Sequence, residues 1–108
     1  MFYVVNKYLL RRGFVGVTLY PFVVMRDATL RDDAVFMNHE KIHLRQQREL
    51  LILPFFLWYG IEFLVRCIQY RNRYTAYRNI SFEREAYAQE NNLEYLKRRS
   101  FWSFLKFL

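Results

Sequence analysis

Residues 50–69, LLILPFFLWYGIEFLVRCIQ, form an almost unbroken apolar run whose only charges are Glu62 and Arg66. A segment of about twenty apolar residues matches the hydrocarbon thickness of a bilayer. The rest of the chain must therefore leave this run in lipid or fold around it. Pro54 and Gly60 weaken a continuous helix, and two charges inside the window are costly in hydrocarbon. Glu62 and Arg66 stand four apart, the spacing at which opposite charges pair along a helix face. The expectation is a core helix over 54–73 that starts at Pro54, where a missing N–H does no harm. A membrane-embedded helix is the competing reading.

The chain is 108 residues long, enough for a single domain, 1–108, with a modest core. Its hydrophobic share of 54% and aromatic share of 20% exclude disorder, because this much apolar surface does not stay in water. A formal charge of +7 favours anionic partners such as an anionic membrane surface, and equally serves the solubility of a greasy domain. Cys67 is the single cysteine, so no intrachain disulfide forms, and its apolar neighbours suit a packed thiol. The N-terminal segment 1–13 lacks a basic start and a small-residue cleavage site. The expected location is cytoplasmic, with membrane association as the variant.

Residues 14–25, FVGVTLYPFVVM, are rich in Val, Phe and Tyr and read as extended structure. Pro21 cannot donate to a ladder, which makes this an edge strand or two short strands joined at a bend. RDATLRDDAV is a turn into a helix, with Asp27 or Thr29 as cap.

From Arg31 the pattern turns helical, and a motif helix is placed over 31–53. At about 100° per residue, Val35, Phe36, His39, Ile42, His43, Gln46 and Leu50 share one half of the wheel. Lys41, Arg45, Arg48 and Glu49 fall on the other. The chain's two histidines thus lie within NHEKIH, on the side turned to the core. Two histidines at i and i+4 point the same way, close enough to hold one ion, and zinc accepts nitrogen and oxygen ligands in a tetrahedron. Glu40 sits one step round the helix, beside such an ion, where it can take a proton from water that the metal has acidified. The competing reading is a chance pattern, but two buried histidines without a role are costly.

A zinc site needs a third protein ligand. No third histidine exists and Cys67 is poorly placed, which leaves the carboxylates of SFEREAYAQE. They lie on a helix placed over 81–99 with Ser81 as N-cap. Glu83 and Glu85 are two residues apart, so they diverge round the helix and cannot both reach one ion. Glu83 shares its face with Ile80, Ala86 and Tyr87, whereas Glu85 shares its face with Gln89 and Asn92. Glu83 is the preferred ligand and Glu85 the reserve.

HEKIH followed by Glu83-Arg-Glu-Ala86 resembles the gluzincin metallopeptidases. The short length and the spacing from His43 to Glu83 are similar to the minigluzincins, over residues 15–90. The resemblance implies one Zn2+ held by His39, His43 and Glu83, with Glu40 as the general base in hydrolysis of a peptide or protein substrate. It also implies an α+β fold: a small, mainly helical minimal metallopeptidase with an N-terminal edge strand or β-hairpin and about three helices. VTLYPFVVM would be the strand that takes up substrate by strand addition. Gluzincins often carry an Asp four residues after the ligand Glu, where this chain has Tyr87. Support for the histidines then falls to Tyr87, Asn38, Gln46 or Gln47. Tyr74, Tyr77, Arg78 and Tyr87 are the candidates for stabilising the oxyanion of the transition state.

The alternative function is a non-catalytic module, zinc-containing or metal-free, acting at a membrane surface or on a protein partner. Glu40 discriminates, since a purely structural site has no need of an acid there. Nucleic acid binding draws on the charge and on QYRNRYTAYRN, but no nucleic-acid motif supports it and it is not favoured. The aromatic tail 100–108 follows Lys97, Arg98 and Arg99. It either packs over the apolar helix or lies in a headgroup layer.

Overall fold

A computed structural model of the chain describes residues 2–6 and 16–108. Residue 1 and residues 7–15 lie outside the described residues, and with them most of the N-terminal segment and the start of the strand expected over 14–25. The remainder of that strand is two short strands. β2 (Gly16–Leu19) and β3 (Phe22–Met25) pair antiparallel, with Leu19 opposite Phe22, and Pro21 sits in the turn between them. A third strand, β1 (Phe2–Val5), pairs parallel with β3, which gives the order β1-β3-β2 and leaves β2 on an edge.

Asp27 accepts from the Thr29 N–H and opens a short 3-10 helix, Ala28–Asp32. Asp33 then accepts from the Phe36 N–H and opens α1 (Ala34–Glu49). The helix is shorter than the expected 31–53 because both ends are fixed by local chemistry. At its far end Leu51 and Ile52 have φ of 60° and 67°, and the Leu53 N–H closes a tight turn on the Leu51 carbonyl at 2.8 Å. This corner bends the chain sharply, so that α1 and α2 (Leu53–Tyr70) meet at 113°.

α1 stands between two cores. On the sheet side Val23, Met25, Met37 and Leu44 pack together, with Tyr20, Leu30 and Phe36 at the margin. On the helix side Leu50, Phe55, Ile80, Phe82 and Phe104 form the second cluster, joined by Trp58, Tyr59 and Phe63. Burial of large side chains on both flanks is the main stabilising term for a chain of this size.

Two expectations for the apolar run are corrected. α2 is not surrounded by core. Of its residues only Phe55 and Glu62 are buried, and its outer side leaves Leu57, Leu64 and Ile68 at 68%, 64% and 78% exposure. No single helix among the described residues is long and apolar enough to cross a membrane. Glu62 does not pair with Arg66 either. It turns inward and accepts from the Ser81 N–H at 2.9 Å and from the Ser81 hydroxyl, while Arg66 donates to Gln69.

That choice has a physical reason. The first N–H groups of α4 (Ser81–Gln89) have no partner within their own helix. Ile80, not Ser81, occupies the N-cap position and offers no side-chain bond. A carboxylate from α2 satisfies the buried Ser81 N–H and matches the positive end of the helix dipole. The polar connection contains a further helix, α3 (Arg73–Arg78), capped by Asn72. The helix expected over 81–99 is interrupted after Gln89. Asn38 donates to the carbonyls of Gln89, Glu90 and Asn92, so these acceptors face a side chain of α1 instead of a further helical turn. α5 (Tyr95–Arg98) is a single turn, and Ser103–Phe107 closes the chain as a 3-10 helix that buries Phe104.

Candidate metal centre

His39 and His43 lie one turn apart on α1, and Glu83 lies in the first turn of α4; all three are buried. His43 Nε2 is 3.2 Å from His39 Nε2 and 3.0 Å from Glu83 Oε1, and His39 Nε2 is 3.3 Å from the same oxygen. These are the sides of a nearly equilateral triangle. Ligands about 2.05 Å from a tetrahedral zinc lie about 3.3 Å from one another. The donor set therefore fits a small divalent cation with little rearrangement.

Each ring is held so that its Nε2 faces the centre. His39 Nδ1 is 2.7 Å from the Glu90 carboxylate, to which it donates. His43 Nδ1 is 2.8 Å from Gln46 Oε1. The Gln46 amide nitrogen is engaged with the Phe82 carbonyl at 3.1 Å and Glu85 at 2.9 Å, so its oxygen must be the atom that accepts from His43. With both Nδ1 atoms carrying hydrogen, the neutral rings present their Nε2 lone pairs to one point. Tyr59 donates to Glu83 Oε2 at 2.8 Å, which leaves Oε1 as the oxygen turned to the histidines.

Without a metal, charge in the triangle is balanced by a proton. Burial alone lowers His43, but the adjacent Glu83 carboxylate outweighs it and lifts His43 to about 9. Glu83 moves the opposite way, far below the usual carboxylate range: burial opposes ionisation, and the two histidines overcome it. A metal ion bound between these atoms would take the place of that proton.

Glu40 stands beside the triangle with one oxygen tied down. Thr18 of β2 donates to Glu40 Oε2 at 2.5 Å and also reaches the Glu40 carbonyl at 3.2 Å. The strand can come this close because residue 16 is glycine. A Cβ there would lie 2.3 Å from the Phe36 ring and 3.2 Å from Glu40 Oε1. Gln47 fastens the same hairpin, accepting from the Tyr20 N–H at 2.7 Å and donating to the Thr18 carbonyl at 2.6 Å.

The triangle and Glu40 open on a cavity of about 580 Å3. Val17 and Thr18 form one side, Phe55, Tyr59 and Phe63 another, and Arg73, Tyr74 and Tyr77 of α3 a third. Of the four residues expected to stabilise an oxyanion, Tyr74 and Tyr77 line this cavity. Arg78 and Tyr87 are not among its lining residues: Arg78 lies over the Tyr87 ring at 3.7 Å, and Tyr87 packs edge-on against His39. Burial and the nearby Glu83 charge push Tyr77 upward, so it is a neutral phenol able to donate.

Glu85, grouped in sequence with Gln89 and Asn92 and held in reserve as a ligand, does not join the triangle. Glu85 is fully buried and binds Arg99 through both oxygens, at 2.5 and 3.1 Å, with Tyr95 and Gln46 completing its partners. It is directed away from the triangle, toward the tail. Sequence reasoning found Gln46 as a supporting residue but missed Glu90, Tyr59 and Arg73. Glu90 was detectable, because it lies seven residues after Glu83 and so returns to nearly the same helix face. Tyr59 sits inside the apolar run, where nothing local distinguishes it from a core aromatic. Protein-family models, curated proteins and solved structures contain no match to this chain.

Proposed function

We propose that this chain is a zinc-dependent metallopeptidase of gluzincin type, in which His39, His43 and Glu83 hold the ion and Glu40 is the general base. The observation that carries this reading is the pairing of two features at one cavity. One is a triangle of donors of tetrahedral size. The other is a carboxylate next to it that is not spent on the triangle. Two imidazoles and one carboxylate are the donor set of many catalytic zinc sites, which keep a position open.

Zinc, when bound, supplies Lewis acidity that polarises a carbonyl and acidifies water. The protein supplies the rest. Thr18 fixes one oxygen of Glu40, so the other is presented toward the cavity as a proton acceptor. Tyr74 and Tyr77 on α3, the latter now paired with the Tyr87 hydroxyl, offer phenolic donors for the negative charge that develops on a carbonyl oxygen. The outer edge of β2 ahead of the Thr18 carbonyl, which Gln47 occupies, offers backbone groups to an extended peptide. Among wild type and variants, Glu40→Gln is the informative comparison. It is expected to keep close to one zinc per chain, and its fold, while losing peptide hydrolysis by about three orders of magnitude. Equal cleavage of a peptide library by both proteins would remove Glu40 from the role of base, and an absence of zinc in folded, chelator-free protein would remove the centre itself.

A further inference from the structure

The apolar side of α2 that faces away from the cavity is the largest feature the metal centre leaves unused. Leu53, Leu57, Ile61, Leu64 and Ile68 are spaced four, four, three and four apart and are all more than half exposed. Such spacing places them along a single stripe of the helix. From Leu53 to Ile68 at ~1.5 Å per residue, the stripe is about 24 Å long. Contiguous apolar surface of this extent marks an interaction face.

Charge says what kind of surface fits it. Between residues 50 and 82 the only acid is Glu62, which is buried against Ser81, whereas the same stretch holds Arg66, Arg71, Arg73 and Arg78. Arg71 and Arg73 are exposed where the stripe ends. At its other end Leu51, exposed at 78%, continues the stripe onto the corner with α1. Trp102 is fastened to this corner, donating to Glu49 from both its backbone N–H and its indole, and Phe101 stacks on it. Lys97, Arg98 and Lys106 flank these rings in sequence. An apolar stripe with an indole at one end, arginines at the other and no exposed acid along it is the pattern of a helix lying in a lipid interface.

We infer that α2 docks this chain on an anionic lipid surface, with the Leu57–Ile68 stripe in the acyl boundary, Trp102 at headgroup depth, and Arg71 and Arg73 on lipid phosphates. A second copy of the chain is the less fitting occupant, because it would bring the same cationic rim against itself without supplying a counter-charge. The inner side of α2 lines the cavity through Phe55, Tyr59 and Phe63, so docking sets the cavity beside the bilayer. The inference does not depend on peptidase activity.

The test is sedimentation of the full chain with vesicles of phosphatidylcholine alone and of phosphatidylcholine with phosphatidylglycerol. Binding to the anionic vesicles at least tenfold tighter than to the neutral ones is expected. Leu57→Asn with Leu64→Asn should weaken it at least tenfold, and Arg71→Gln with Arg73→Gln should narrow the difference between the two lipids. All four side chains are exposed, Arg73 at the rim of the cavity, and circular dichroism with metal content monitors the fold. If the asparagine pair does not fold, the arginine pair together with lipid-dependent emission from Trp102 in a Trp58→Phe background carries the test. No binding to anionic vesicles overturns the inference. So does equal binding by the asparagine pair, or a dimer of the wild type that the asparagine pair abolishes without any lipid binding.

Discussion

At the scale of single residues, the candidate centre separates side chains that sit close in sequence but do different work. Glu83 and Glu85 are both buried on α4, yet one closes the histidine triangle and the other neutralises Arg99. Glu83→Ala is expected to lose most bound zinc. Glu85→Ala should keep close to one zinc per chain but lose about 3–5 kcal/mol of stability, because Arg99 is left buried with a single partner. Metal analysis and thermal unfolding of the pair check this, and the reverse order would move the ligand to Glu85. Glu90→Ala should weaken zinc affinity by about 10–100-fold with little change in fold, since it removes only the carboxylate behind His39. Acidity gives an independent handle. The folded, metal-free value of His43, about 9, lies above its ordinary value of 6.5. Its contribution to stability is therefore fully present below pH 6.5 and is lost as pH rises through about 9. The gap in Tm between zinc-loaded and chelated protein should widen over that window, as the proton that zinc displaces disappears. A gap that stays flat from pH 6.5 to 9 would show that His43 is neutral before the metal arrives.

At the scale of elements, the apolar run shows what sequence pattern can and cannot specify. Its helical nature and its amphipathic neighbour α1 follow from local periodicity and appear in the fold, and the helix starts at Leu53, one residue before the expected Pro54. Which side of α2 meets the core does not follow, because almost every position in the run is apolar and no polar face orients it. The partner of Glu62 was misjudged for a related reason. A helical neighbour four residues away is visible in sequence, but the unpaired N–H of a distant helix end is not. The two deletions can be told apart: Glu62→Ala should cost about 1–3 kcal/mol by leaving the Ser81 N–H unsatisfied, whereas Arg66→Ala should fall within about 0.5 kcal/mol. Chemical denaturation measures both, and equal costs would restore the Glu62–Arg66 pair. The parallel pairing of β1 with β3 was equally invisible, since parallel neighbours are joined by a long crossover and leave no hairpin signature. The tail takes the packing role through one residue. Phe104 completes the core against Phe82 and Trp58, while Phe101 and Trp102 remain largely at the surface. Phe104→Ala is expected to lose about 3–5 kcal/mol, and removal of residues 100–108 to lose more; a truncated chain with an unchanged Tm would show that the tail is not core.

At the scale of the molecule, the centre lies where the sheet-side and helix-side cores meet, and α1 belongs to both. This explains why the candidate triangle was legible when the fold around it was only partly so. Two histidines four apart on one helix are a local pattern, and a third candidate ligand had to be a carboxylate once histidine and cysteine were exhausted. The cavity's other walls come from three separate elements, and their convergence is a property of the tertiary fold. One of those walls has a kinetic consequence. Thr18 grips Glu40 with its side chain while its own backbone runs along the outer edge of the sheet. If the chain cleaves peptides as proposed, a substrate that pairs well with this edge steadies the residue that aims the proton acceptor. Longer, better-paired peptides would then gain in turnover rather than only in affinity, and Thr18→Val would flatten the rise of kcat with peptide length while leaving KM nearly unchanged.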